Sequence, residues 1–194
     1  MTALVAAVCA GAFMAPTPAG AAPAAERKSH CVADSGTQRI TCYDTFRESI
    51  AAATEGRITD APAPWKAAKD QRFMDRMNAV GKARDAAAAT GARVRLEAGA
   101  GTVLFEHAQY QGGTLTIRTS HGGHCKSDGK WDGWASSLTG HWINNQISSL
   151  WTLNKCYVDL FQDANFQGPN QFHTKSTEWV GDAMNDTTSS VALT

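Results

Sequence analysis

A six-residue polar stretch, Asn144-Asn145-Gln146-Ile147-Ser148-Ser149, returns later in the chain as Asn185-Asp186-Thr187-Thr188-Ser189-Ser190. Both copies read [Asn/Asp]-[Asn/Asp]-x-x-[Ser/Thr]-Ser. A second pattern precedes each: an aromatic, four residues, another aromatic, one residue and a glycine. It runs from Phe105 through Tyr110 to Gly112, and again from Phe161 through Phe166 to Gly168. Two motifs recurring in one order make an internal repeat, and repeat units bury their apolar faces against one another. The first unit carries about 15 more residues than the second between its two motifs, within a Gly-, His- and Trp-rich run from Ser120 to His141.

Around the motifs the pattern is that of strands. Val103-Leu104-Phe105 and Val158-Asp159-Leu160-Phe161 open the two units, and Thr114 to Ile117 alternates as a half-buried strand does. Ser149 to Leu153 and Ser190 to Leu193 read as closing strands. Short strands at this spacing predict an all-β sandwich of two Greek keys. Gly112 and Gly168 call for positive φ, with Tyr110 and Phe166 folded over Phe105 and Phe161. The polar stretches place amide, carboxylate, hydroxyl and carbonyl oxygens close together, the inventory a hard cation such as Ca²⁺ requires. A polar turn uses the same residue types, so one copy alone would decide nothing.

The doubled pairing resembles the βγ-crystallin family, in particular its microbial calcium-binding members, over residues 101–194. The resemblance implies an all-β Greek-key sandwich holding two Ca²⁺ ions at one end, each polar loop clamped by the other motif's hairpin. Carried onto this chain, Ser148 and Ser189 would give hydroxyl oxygens, and Gln146, Thr187, Glu106 and Gln162 backbone carbonyls. Asn145 and Asp186 would give side-chain oxygen or brace the loops, which Asn144 and Asn185 open. With Asp186 the single carboxylate of this set, affinity of about 10⁻⁵–10⁻³ M is expected. Small bacterial metalloproteinase inhibitors and killer-toxin-like proteins are similar in fold. A protease inhibitor or toxin acting through the 120–140 loop is therefore the alternative, with an extracellular protein as partner.

Residues 3–15 form an apolar run too short to span a bilayer, followed by Ala19-Gly20-Ala21, an A-x-A cleavage pattern. This reads as a signal peptide over 1–21 and an exported protein. No Lys or Arg precedes the run, which raises the expectation of a start codon further upstream. After cleavage four cysteines remain, enough for two disulfides in an oxidising compartment. Of three connectivities, Cys31–Cys42 and Cys125–Cys156 are favoured because each pair lies within one segment. A zinc site at His121, His124 and Cys125 is the competing reading.

Between these lies an N-terminal segment, 22–100. Thr45-Phe46-Arg47-Glu48 has the form of a capping box opening a helix to about Thr54. Phe73, Met77 and Val80 share one face of a second helix that Gly81 can interrupt and Gly91 ends, and Ala98 to Gly101 reads as a linker. The segment is either a helical module that docks on the β domain or on a partner, or a partly ordered extension that awaits cleavage or serves as a tether. The β domain divides into motif A (101–154) and motif B (155–194).

Eighteen Lys+Arg balance eighteen Asp+Glu, so charge provides no case for nucleic acid or an anionic membrane as partner. A monomer is expected. No G-x-S-x-G, H-E-x-x-H or paired catalytic carboxylates occur, and His107 and Asp163 read as solvated surface, so no enzyme is predicted. Trp142 and Trp179 read as core filling. Trp131 and Trp134, among Gly, Ser and Asp, are the candidate contact residues.

Overall fold

The computed structural model describes residues 29–90, 99–121, 123–126 and 128–194, with no side-chain description for 83–88. The signal-peptide reading and the roles given to Gly91 and Ala98 lie outside the described residues. In chain order come β1 (His30–Asp34), β2 (Arg39–Tyr43), α1 (Phe46–Ala53), α2 (Pro64–Ala67), α3 (Gln71–Ala89), β3 (Ala100–His107) and β4 (Gln111–Arg118). Then follow β5 (Gly133–Ala135), β6 (Ser149–Thr152), β7 (Val158–Asp163), β8 (Gln167–His173) and β9 (Ser190–Leu193).

The fold is an all-β Greek-key sandwich with a short helical segment. One sheet has the order β2-β1-β4-β3-β6 and the other β5-β9-β7-β8. The two motifs exchange their third strands. β5 of motif A pairs with β9 of motif B. In motif B, Thr177 makes an antiparallel bridge to Leu150 on β6. Neither sheet is complete without the other motif, the interdependence expected of a repeat unit that cannot bury its apolar face alone.

Between the sheets Leu104, Leu115, Ile117 and Leu150 meet Val158, Leu160, Val191 and Leu193. Outward-facing Val103, Phe105 and Trp151 form a second core beneath the helices, with Phe46, Ile50, Phe73, Met77 and Val80 above them. Phe46 and Phe73 meet the Trp151 indole edge-on at 6.0 and 6.4 Å between ring centroids. The capping box at Thr45 and Glu48 forms as read, and Phe73, Met77 and Val80 share one buried face. Of the two readings of this segment, the structure has the docked arrangement.

Three expectations change. The stretch around Cys31 and Cys42 is a β-hairpin that extends the first sheet, β1 running parallel to β4. Its pairing is non-local, invisible to a local reading. Gly81 does not break α3; it lets the helix approach Asn154. The linker reading fails at Ala100 and Gly101, which begin β3 in a buried position where Gly101 abuts Leu193 and Cys156. Both disulfides, Cys31–Cys42 and Cys125–Cys156, are present. Cys125 is thus not available to zinc.

Candidate metal centre

The turn joining β3 to β4 places Gln109 and Tyr110 at φ of 57° and 62°, and the turn joining β7 to β8 repeats this with Asn165 and Phe166 at 58° and 60°. Left-handed backbone disfavours residues other than glycine, so something must hold these turns. A serine does. Ser149 Oγ donates to His107 O at 2.6 Å and accepts from Tyr110 N at 3.1 Å. Ser190 Oγ donates to Asp163 O at 2.6 Å and accepts from Phe166 N at 2.9 Å. The sequence reading gave these sixth loop positions no role, although serine in both copies was the signal. Gly112 and Gly168 have the expected positive φ, 77° and 75°.

The polar loops meet across a pseudo-twofold relationship. Asn145 N donates to Thr188 O at 3.0 Å, and Asp186 N donates to Ile147 O at 3.2 Å. The second residue of each loop thereby enters the other loop. Ser148 Oγ donates to Glu106 O at 2.9 Å and lies 3.5 Å from Asp186 Oδ1. Ser189 Oγ donates to Asn145 Oδ1 at 3.1 Å. The expectation that each loop is clamped by the other motif's hairpin is corrected here. Ser148 N bonds Phe105 O and Ser189 N bonds Phe161 O, each within its own motif. What crosses between motifs is the second loop residue, because both loops lie at the same end of the sandwich. The hairpin tips cross too, Gln109 N reaching Glu178 O and Asn165 N reaching Ser136 O.

Glu106, Ser148 and Asp186 are therefore together, as are Asn145 and Ser189. Gln146 and Thr187 occupy matching third positions in the loops, with Gln146 N bonded to Ile143 O and Thr187 N to Met184 O. Gln162 Nε2 is turned to Ala183 O beside the second loop. Asn144 Oδ1 and Asn185 Oδ1, at the first positions, are buried without a hydrogen-bond partner. An all-oxygen donor set with two orphaned amide oxygens fits a hard cation. The Glu106 carboxylate faces its own hairpin, accepting from Gly113 N at 2.8 Å.

The long run in motif A is only partly an insertion. Residues 133–135 are its third strand and Leu138 is fully buried, so this part of the run belongs to the Greek key itself. The described residues between Ser120 and Asp132 form the actual excursion. Its base is drawn together by Asp132, whose Oδ1 lies 2.7 Å from His121 Nε2 and whose Oδ2 accepts from Lys126 N at 2.7 Å. Trp131 is 44% exposed, its ring 4.2 Å from that of Phe166, while Trp134 on β5 is half-buried. Trp179, expected in the core, is also 44% exposed. A Thr177 turn leaves its ring outside and sends Val180 inward instead. Trp142 packs on the inter-sheet core, its indole N–H donating to Cys31 Sγ at 3.2 Å.

The class that the fold and the paired loops define is an all-β sandwich of two Greek-key motifs. A model of peptidase inhibitor family I36 matches residues 104–173. No curated protein matches the chain. Among solved structures, a βγ-crystallin domain from Clostridium beijerinckii is 23% identical, covering 48% of this chain and 95% of that one with a TM-score of 0.38. A βγ-crystallin domain from Flavobacterium johnsoniae is 19% identical, covering 48% and 93% with a TM-score of 0.34.

Proposed function

We propose that this chain is an exported, non-enzymatic calcium-binding protein of the βγ-crystallin kind, holding two Ca²⁺ ions in its paired polar loops. The observation that carries this reading is the reciprocal entry of Asn145 and Asp186 into each other's loops, beside Ser189 and Ser148. Glu106 and Gln162 contribute carbonyls from the hairpins, and Gln146 and Thr187 from the loops. The ions neutralise oxygens that the fold forces together, so bound calcium stabilises the sandwich. At a free concentration 100 times Kd, one site contributes about 2.7 kcal/mol. Calorimetric titration with Ca²⁺, with melts in calcium and in chelator, tests it. Binding of about two ions that S148A/S189A abolishes supports the reading; identical isotherms for that double variant and the unaltered chain defeat it.

The I36 match favours a second reading, inhibition of an extracellular peptidase, metalloproteinases being the first class to assay. The contact would be the 120–132 excursion with Trp131 at its end. The Cys125–Cys156 bond and the Asp132 clasp hold that loop, lowering the ordering cost of a complex.

A further inference from the structure

The two candidate calcium sites are built from the same motif, yet their surroundings differ in two independent ways. The first is charge. Because the second loop residues are exchanged, the only loop carboxylate, Asp186, turns Oδ1 to the loop holding Ser148, 3.5 Å from that hydroxyl, while its Oδ2 accepts from Asn185 Nδ2 in its own loop at 2.9 Å. The site of Ser189 receives the neutral amide of Asn145 instead, at 3.1 Å. The hairpin carboxylates do not reverse this. Glu106 is engaged by Gly113 N, and the Asp163 carboxylate is turned towards Gly168 inside its own hairpin.

The second difference is rigidity. The hairpin that carries Phe105 and Glu106 lies under the helices. Phe105 is fully buried and Tyr110 is 9% exposed, with Trp151 against both rings at 4.7 and 6.0 Å. Among the described residues, no helix covers the matching hairpin of motif B. Phe161 and Phe166 are only partly buried, and β9 carries Ala192 where β6 carries Trp151; the exposed Trp131 ring is the aromatic neighbour of Phe166 from the excursion. Calcium affinity is tuned by the count of charged ligands and by the rigidity of the site. Here both act in one direction.

We infer that calcium binds this chain in two unequal steps, first at the site of Ser148, Glu106 and Asp186, then at the site of Ser189 and Asn145. The inference rests on the calcium reading given above. The carboxylate that makes the first site tight is donated by the loop of the second. Filling the first site therefore orders residues 185–189 for the second ion, and the helical segment secures the hairpin on which the first site is built.

The test is calorimetric titration of the full chain with Ca²⁺ alone. The unaltered protein is expected to show two steps separated by about tenfold or more in affinity. D186N is expected to narrow the separation by weakening the tighter step, leaving the part that rigidity supplies, while N145D strengthens the weaker one. Asn145 and Asp186 are both exposed, so neither exchange disturbs the core. Location follows from S148A and S189A: loss of the tight step in S148A and its survival in S189A are expected. Equal steps in the unaltered chain, or loss of the tight step in S189A, would overturn the inference and leave calcium binding intact. No heat and no calcium-dependent rise in melting temperature for any form would remove the calcium reading and this inference together.

Discussion

Gly81 of α3 faces Asn154 so closely that a Cβ on the glycine would lie 2.4 Å from Asn154 Oδ1. Asn154 is pinned there. Its Nδ2 donates to Ala100 O at 2.8 Å, its backbone N donates to Asn78 Oδ1 at 2.7 Å, and its φ is 50°. In an exposed helix, Gly→Ala stabilises by about 1 kcal/mol. Here overpacking reverses the sign, and G81A is expected to destabilise by roughly 1–3 kcal/mol. Denaturant unfolding checks this; a stabilised G81A would show that α3 does not rest on Asn154.

Reduction separates the two disulfides by loop length. In the chain-entropy model, closing the 31-residue separation between Cys125 and Cys156 contributes about 3.7 kcal/mol. The 11-residue separation of Cys31 and Cys42 contributes about 2.8 kcal/mol. C125S/C156S is expected to lower the melting temperature more than C31S/C42S. The reverse order would assign the larger role to the β1–β2 hairpin.

Two histidines make stability depend on pH. Burial holds His173 below its ordinary 6.5 despite the Asp159 charge, and holds His30 below it despite Glu106. The folded chain thus prefers neutral rings, while the unfolded chain takes up protons first as the pH falls. Stability is expected to be level above 6.5, to decline below it, and to level again beneath the folded-state values. Melts from about pH 7.5 to 5 should show the decline, flattened in H30Q/H173Q. A double variant with the same slope would place the effect on other groups.

Trp131 separates fold from contact surface. Because nearly half of the residue is exposed, W131A is expected to lower the melting temperature by only a few degrees, through the lost tilted ring contact with Phe166. If the chain inhibits a peptidase, the same substitution should weaken inhibition at least tenfold, an aromatic anchor at the centre of a contact being worth about 2 kcal/mol or more. An unfolded W131A, or full inhibition by a folded one, would remove Trp131 from the contact.

What was legible in the sequence was what is written in local order. The hairpin glycines, the polar loops, the opening and closing strands, the Thr45 capping box and the Phe73–Met77–Val80 face each need only a few neighbouring residues to be recognised. The two disulfides could be favoured because their partners lie close along the chain. Secondary structure and candidate ligands were accessible for the same reason: turn chemistry and periodicity act over a few residues.

Everything that depends on which parts of the chain meet was decided by tertiary structure. The β1–β2 hairpin joins β4 although Cys31 and Leu115 are far apart in sequence. Trp151 found its cover in Phe46 and Phe73, while Trp179, in a similar polar setting, stayed outside. Above all, the repeat by itself placed Asp186 and Ser189 in one loop, and only the exchange of strands and loops between motifs set Asp186 beside Ser148. The sequence determined the repeat and its oxygen-rich chemistry because both are local. The partner of each oxygen was left to the fold, because two half-sandwiches bury their apolar faces only by crossing over.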